Sequence, residues 1–154
     1  MTTTLPANSH TRTLTLTRIF PAPRELVFRV WTAPEHLARW WGPEGFSLPV
    51  CEMDFRPGGA YRVCMRSPDG ADYWVGGVYH EIVAPERIVF SWSHEEEGGT
   101  RGHETHVTVT LEDWQGKTKL TLTQSVFESE DAREEHTAGW TDSLNRLDAY
   151  LAAE

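Results

Sequence analysis

The last stretch of the chain, DAREEHTAGWTDSLNRLDAYL (131–151), most constrains what it can fold into. His136, Trp140, Leu144, Leu147 and Leu151 recur at steps of four, four, three and four. That spacing gathers them on one face of a helix with about 3.6 residues per turn, and Arg133, Arg146 and Asp148 fall mostly elsewhere. Apart from one short helical region, everything before this segment reads as strand. A long helix with one apolar face, following a run of strands, needs a sheet to lie on. Any gap left between the two is the first place to look for function.

Residues 1–10 read as a loose polar lead-in. Thr11 to Phe20 alternates, with Leu14, Leu16, Arg18 and Phe20 on one face, as expected of a half-buried strand. Arg18 on the apolar parity is either solvated near the strand end or reaches an interior carboxylate. After Pro21-Ala-Pro23, RELVFRVWT (24–32) reads as a helix, and PEHLARWW (34–41) as a second one that stops at Gly42-Pro43. Six strands follow: Phe46 to Arg56, Ala60 to Arg66, Ala71 to Val83, Arg87 to His94, His103 to Asp113 and Lys117 to Phe127. Turn residues punctuate them at Pro57-Gly58-Gly59, Ser67-Pro68-Asp69-Gly70, Ala84-Pro85 and Trp114-Gln115-Gly116. Short turns predict antiparallel meander pairing, and a sheet of this many strands curls. The acidic EEEGGTRG (95–102) reads as a solvated hairpin tip.

The formal net charge is −9, with Lys and Arg scattered, so nucleic acid is a poor partner; it needs a basic patch. No stretch is apolar enough to insert in a membrane, and the N-terminus has no signal-peptide character, so a cytoplasmic location is expected. Seven Trp, six Phe and four Tyr suit either a ring-lined interior or a core filled by rings. Cys51 and Cys64 match no zinc spacing. If Pro57-Gly58 is a two-residue hairpin loop, the two thiols sit opposite each other and a disulfide is within reach. Reduced, buried thiols are the alternative.

Several stretches carry a resemblance: RIFPAPRELVFRVWTAPEHLARWWGPEGF (18–46), MDFRPGGAYRVCMRSPDG (53–70), GGVYHEIVAPERIVFSW (76–92), THVTVTLE (105–112), TKLTLTQSVF (118–127) and HTAGWTDSLNRL (136–147). Together they resemble the START-like, helix-grip superfamily, and within it the domain related to the activator of heat-shock protein 90 ATPase. The resemblance implies an α+β helix-grip fold over residues 11–154. A curved antiparallel sheet of about seven strands wraps a long C-terminal helix, with two short helices after the first strand. It also implies an internal cavity for an apolar small molecule or lipid. The wider superfamily includes lipid carriers, hormone and metabolite binders, and polyketide cyclases or dehydratases. The heat-shock activator itself also uses a second, amino-terminal domain, for which this chain has no room.

Candidate chemistry is sparse. Asp54-Phe-Arg56-Pro-Gly-Gly59 reads first as a turn with a local Asp54–Arg56 ion pair. The histidines of His103-Glu104-Thr105-His106 are three apart in a strand and point to opposite faces, so no metal site is expected there, nor any cofactor. No nucleophile elbow, phosphate loop or dinucleotide fingerprint occurs. The remaining catalytic option is acid–base work by Glu81, Tyr79 and His136 in the cavity, as in a cyclisation or dehydration; a structural Glu81–Arg87 pair competes with it. Gly139 inside the last helix implies close approach to the sheet or room for a ligand. The expected function is binding of a hydrophobic or aromatic molecule or a lipid. By strand and helix parity the pocket residues are Trp31, Trp41, Phe55, Tyr61, Val63, Trp74, Tyr79, Phe90, Trp92, Val109, Leu122, His136, Trp140 and Leu144. The rivals are a cyclase-type enzyme and a co-chaperone-type interaction module docking a chaperone through the sheet face or Glu95, Glu96 and Glu97. A homodimer is the default assembly.

Overall fold

A computed structural model describes residues 12–96 and 101–153. The lead-in expected over 1–10 and the tip of the acidic loop, with Glu97, lie outside the described residues. The elements are β1 (Leu14–Phe20), α1 (Arg24–Val30), α2 (Pro34–Leu37), β2 (Ser47–Met53), β3 (Ala60–Arg66), β4 (Asp72–Val83), β5 (Arg87–His94), β6 (Thr105–Trp114), β7 (Lys117–Ser125) and α3 (Glu130–Ala153). All strands pair antiparallel in one seven-stranded sheet of order β1-β7-β6-β5-β4-β3-β2. The two short helices carry the chain from one sheet edge to the other, and β2 to β7 meander back. This is the helix-grip arrangement. Among the described residues, no helix is long and apolar enough to cross a membrane.

Helix α3 starts where the chain supplies a cap. The Ser129 hydroxyl accepts the Ala132 amide at 3.0 Å, and acidic Glu130 and Asp131 occupy the positive end of the helix dipole. Its buried face is Trp140, Ser143, Leu144, Leu147 and Leu151. Trp140 and the three leucines join one core with Leu14, Val109, Leu111, Leu120 and Leu122 of the sheet. Arg18 finds neither solvent alone nor a carboxylate: it donates to Asn145 Oδ1 on α3 at 2.8 Å. The second short helix ends at Leu37, four residues earlier than its composition suggests. Trp40 and Trp41 continue it as a turn, both amides bonding to Leu37 O.

One local expectation changes, at Trp74, and two open alternatives are decided, at the cysteines and at Glu81. Cys51 pairs with Val63, and Val50 with Cys64, because the loop between β2 and β3 is longer than two residues. The two cysteines therefore alternate across the sheet and stay free. Trp74, expected in the interior, lies opposite Cys64 on the outer face, with the Arg62 guanidinium 3.9 Å above its ring. Glu81 also leaves the interior. Tyr79 pairs with Phe90 and Glu81 with Val89, so His80 is an extra, bulged residue. The bulge reverses the alternation, and Glu81 turns outward to meet Arg87 at 2.7 Å. The Asp54–Arg56 pair forms at 2.9 Å beside its turn, as its spacing implies.

Gly77 permits a crossing that shapes the interior. Tyr61 of β3 faces Gly77 of β4 and donates its hydroxyl to Ser91 O of β5 at 2.7 Å. A Cβ at Gly77 would lie only 2.0 Å from Ser91 O, a backbone atom that cannot yield cheaply. Gly77→Ala is therefore expected to destabilise the protein by about 1–3 kcal/mol, an overpacking cost. Urea denaturation checks this; a change under about 0.5 kcal/mol, ordinary for a surface site, would refute it.

Candidate functional site

Rings fill most of the space between sheet and helix. Trp31 meets Trp40 edge-on at 4.6 Å and stacks on Trp140 at 6.1 Å. Trp41 meets Trp140 at 5.1 Å, Tyr61 meets Phe90 at 5.6 Å, and Phe55 meets Tyr79 at 4.9 Å. The open space is displaced to one end. There a pocket of about 170 Å³ is lined by Trp41, Gly42, Pro43, Met65, Trp92, His94, Glu135, His136, Gly139, Trp140 and Ser143. Helix α3 supplies its floor, the loop after α2 one side, and the ends of β3 and β5 the other.

The floor is open because two small residues stand one turn apart on α3. A Cβ added to Gly139 would meet nothing within 4 Å, so this glycine leaves room rather than allowing close approach to the sheet. Ser143 turns its hydroxyl to the loop, accepting the Gly42 amide at 3.0 Å and donating to Gly42 O at 3.1 Å. Arg146 Nη1 donates to the carbonyls of Trp41, Gly42 and Pro43 at 3.3, 3.1 and 3.2 Å. The Glu44 amide bonds to Asp142 at 3.2 Å. Gly42, at φ +108°, makes the bend that presents these groups to the helix. The loop wall is thus clamped to the floor by side chains of α3.

The aromatic wall is held by a buried polar chain. Trp140 Nε1 donates to Gln124 Oε1 at 2.7 Å, Gln124 Nε2 donates to Thr105 Oγ1 at 2.8 Å, and Thr105 donates to Trp92 O at 3.0 Å. Gln124 is wholly buried, so each of these partners matters. The chain connects α3, β7, β6 and β5, and it fixes two residues of the wall.

His136 packs edge-on against Trp92 at 4.3 Å and lies 5.0 Å from Phe127. Burial, with His94 6.1 Å away, pushes its pKa down to about 4. Burial also lowers His94, although Glu96, Glu135 and Glu128 pull it back toward the charged form. At neutral pH both rings face the pocket uncharged. Among the described residues, no Lys or Arg lines it and exposed Glu135 is its only carboxylate.

Of the expected pocket residues, the structure brings Trp41, Trp92, His136 and Trp140 to this pocket. Trp31, Tyr61, Tyr79 and Phe90 surround a deeper void of about 10 Å³, which Trp41 also borders. Val63, Val109, Leu122 and Leu144 are solid core, and Phe55 packs at the Phe28 end. Trp74 and Glu81 lie outside. The proposed trio of Glu81, Tyr79 and His136 is therefore not assembled. His103 bonds to Val126 O and His106 faces His80, so the two do not converge; no metal-binding group occurs among the described residues. The sequence reading missed Gly42, Pro43, Met65, His94, Glu135, Ser143 and Gln124. Gln124 carried a signal: it shares inward parity with Leu120 and Leu122.

The chain belongs to the Activator of Hsp90 ATPase homolog 1-like protein family, whose model matches residues 21–152. Solved structures agree in fold. A protein from Chromobacterium violaceum is 33% identical with TM-score 0.83, over 90% of this chain and 96% of its own. The AHSA1 protein from Silicibacter pomeroyi is 31% identical with TM-score 0.85, over 92% and 98%. A protein from Arthrobacter aurescens is 26% identical with TM-score 0.82, over 94% and 88%. No functionally curated protein matches the sequence.

Two outcomes follow from the site's polar groups. Gln124→Leu strands the Trp140 indole and is expected to cost about 1–3 kcal/mol. Hydrogen exchange at the Trp140 indole should quicken in a variant that remains folded; unchanged exchange would deny Gln124 its role. The second outcome concerns pH. His136 is harder to protonate folded than unfolded, so the unfolded state takes up its proton first. Stability should fall as pH drops from about 6.5 toward 4, the interval between the unfolded and folded values. His136→Phe should flatten part of that slope in thermal melts; an identical slope would locate the pH dependence elsewhere.

Proposed function

We propose that this family member binds a small, uncharged aromatic molecule in the pocket floored by Gly139. The observation that carries the reading is the empty Cβ position of that glycine. Inside a helix, Gly costs about 1 kcal/mol relative to Ala. Nothing packs where the methyl would sit, so what its omission gains is pocket volume.

Size and chemistry narrow the occupant. A cavity of about 150 Å³ suits a benzene-sized ring, so about 170 Å³ suits one or two fused rings better than a long acyl chain. Trp92, Trp140 and Trp41 offer faces and edges for stacking. Both histidines are neutral and no cation among the described residues lines the site, so an anionic headgroup would be desolvated without a partner.

Gly139→Ala separates fold from function. It is expected to stabilise the helix by up to about 1 kcal/mol while weakening ligand binding, and Gly139→Met should abolish binding. The primary measurement is native mass spectrometry of protein purified from its own host, beside a denatured control. A stoichiometric aromatic molecule released only on denaturation, and lost from Gly139→Met, is the expected result. An empty protein that also fails to bind a panel of neutral aromatics would overturn the reading in favour of a protein-interaction role.

A further inference from the structure

The small void beneath the pocket has an unusual neighbour. Four tryptophans, Trp31, Trp40, Trp41 and Trp140, meet at this end of the core, and two have their indole N–H bonded within the protein. Trp40 Nε1 donates to Val30 O at 3.0 Å and Trp140 Nε1 to Gln124 Oε1 at 2.7 Å. Trp31 Nε1 is buried with no partner, although the residue is only 3% exposed. An indole nitrogen can only donate, so this group needs an acceptor that the described residues do not provide. Buried donors left unpaired are rare, and each invites an explanation.

Trp31 forms part of the wall of the 10 Å³ void, and Trp41 lines both that void and the 170 Å³ pocket. Trp41 is therefore the residue at which the two spaces adjoin. The void has room for about one water-sized atom. The Tyr61 hydroxyl beside it is already committed to Ser91 O. The other walls include Leu37, Ile88 and Phe90, and no cationic side chain is among them.

We infer that the void is a polar subsite of the same pocket: the ligand's ring lies in the outer space, and one uncharged acceptor oxygen passes Trp41 to receive the Trp31 N–H. This rests on the binding role assigned to the pocket and adds a class to it. The ligand is an aromatic ketone, ester, ether or similar neutral acceptor. A carboxylate does not fit the subsite, because no cation offsets the desolvation of its charge.

The test compares methyl naphthyl ketone with its isopropenyl isostere, which has the same shape and no acceptor. Wild-type protein should bind the ketone at least about fivefold more tightly, the size of one net hydrogen bond. The Trp31 indole N–H resonance, assigned by its loss in Trp31→Phe, should move with the ketone and stay with the hydrocarbon. In Trp31→Phe the preference should vanish while ring binding persists. Equal binding of both probes to wild type, or an unmoved Trp31 resonance, overturns the subsite and leaves the pocket standing. Failure of both probes to bind overturns the pocket and the subsite together. Wild-type titrations alone decide the matter if Trp31→Phe does not fold.

Discussion

The hydrogen bond from Trp140 to Gln124 sets where the long helix rests on the sheet. Leu144, Leu147 and Leu151 bury apolar surface, and that attraction has no direction. A slide of one turn would cost them little if the sheet offered apolar contacts further along. The indole N–H and the amide do not tolerate such a slide, because each would be left unpaired in the core. Gln124 passes the constraint on through Thr105 to the Trp92 carbonyl. One buried amide thus fixes the helix on three strands and anchors two of the pocket's residues, Trp140 through its indole and Trp92 through its carbonyl.

With the helix fixed, side-chain volume along it decides where space remains. Toward the C-terminal end, Leu144, Leu147 and Leu151 fill the groove. Toward the N-terminal end, Gly139 and Ser143 leave it unfilled. Ser143, Arg146 and Asp142 then hold the Trp41–Glu44 loop at its distance rather than letting it collapse into the gap. The pocket is the consequence of small residues on the floor and a wall held by polar clamps.

These facts also explain how far the sequence could be read. The element order was legible, because turn residues separate the strands and the stripe from Trp140 to Leu151 is nearly unbroken. The interior face of β4 was not. Strict alternation cannot place both Trp74 and Tyr79 inside, being five apart, and the bulge at His80 then turned Glu81 outward. A bulge changes parity without leaving a mark in the hydrophobic pattern. Four of the five aromatic rings lining the pocket, Trp41, Trp92, His136 and Trp140, were legible by parity, and His94 was not. The floor and clamps were not legible, since a pocket depends on what is missing at Gly139. Contacts such as Arg146 to three loop carbonyls exist only after the chain has folded.

The side chains that the sequence offers for acid–base work are poorly suited to it. A general base works best when its pKa lies near the operating pH. His136, pushed down to about 4, is a weak base at neutrality. The Tyr79 phenol is pushed up by burial, which makes it a reluctant acid, and it borders the deeper void rather than the pocket beside His136. Glu81 stands outside on the sheet, tied to Arg87. Dry aromatic surroundings thus suppress the ionisation that proton transfer needs. The same dryness strengthens a hydrogen bond to a neutral ligand. In the proposed binding role, the environment that weakens His136 as a base and Tyr79 as an acid is the one that favours recognition.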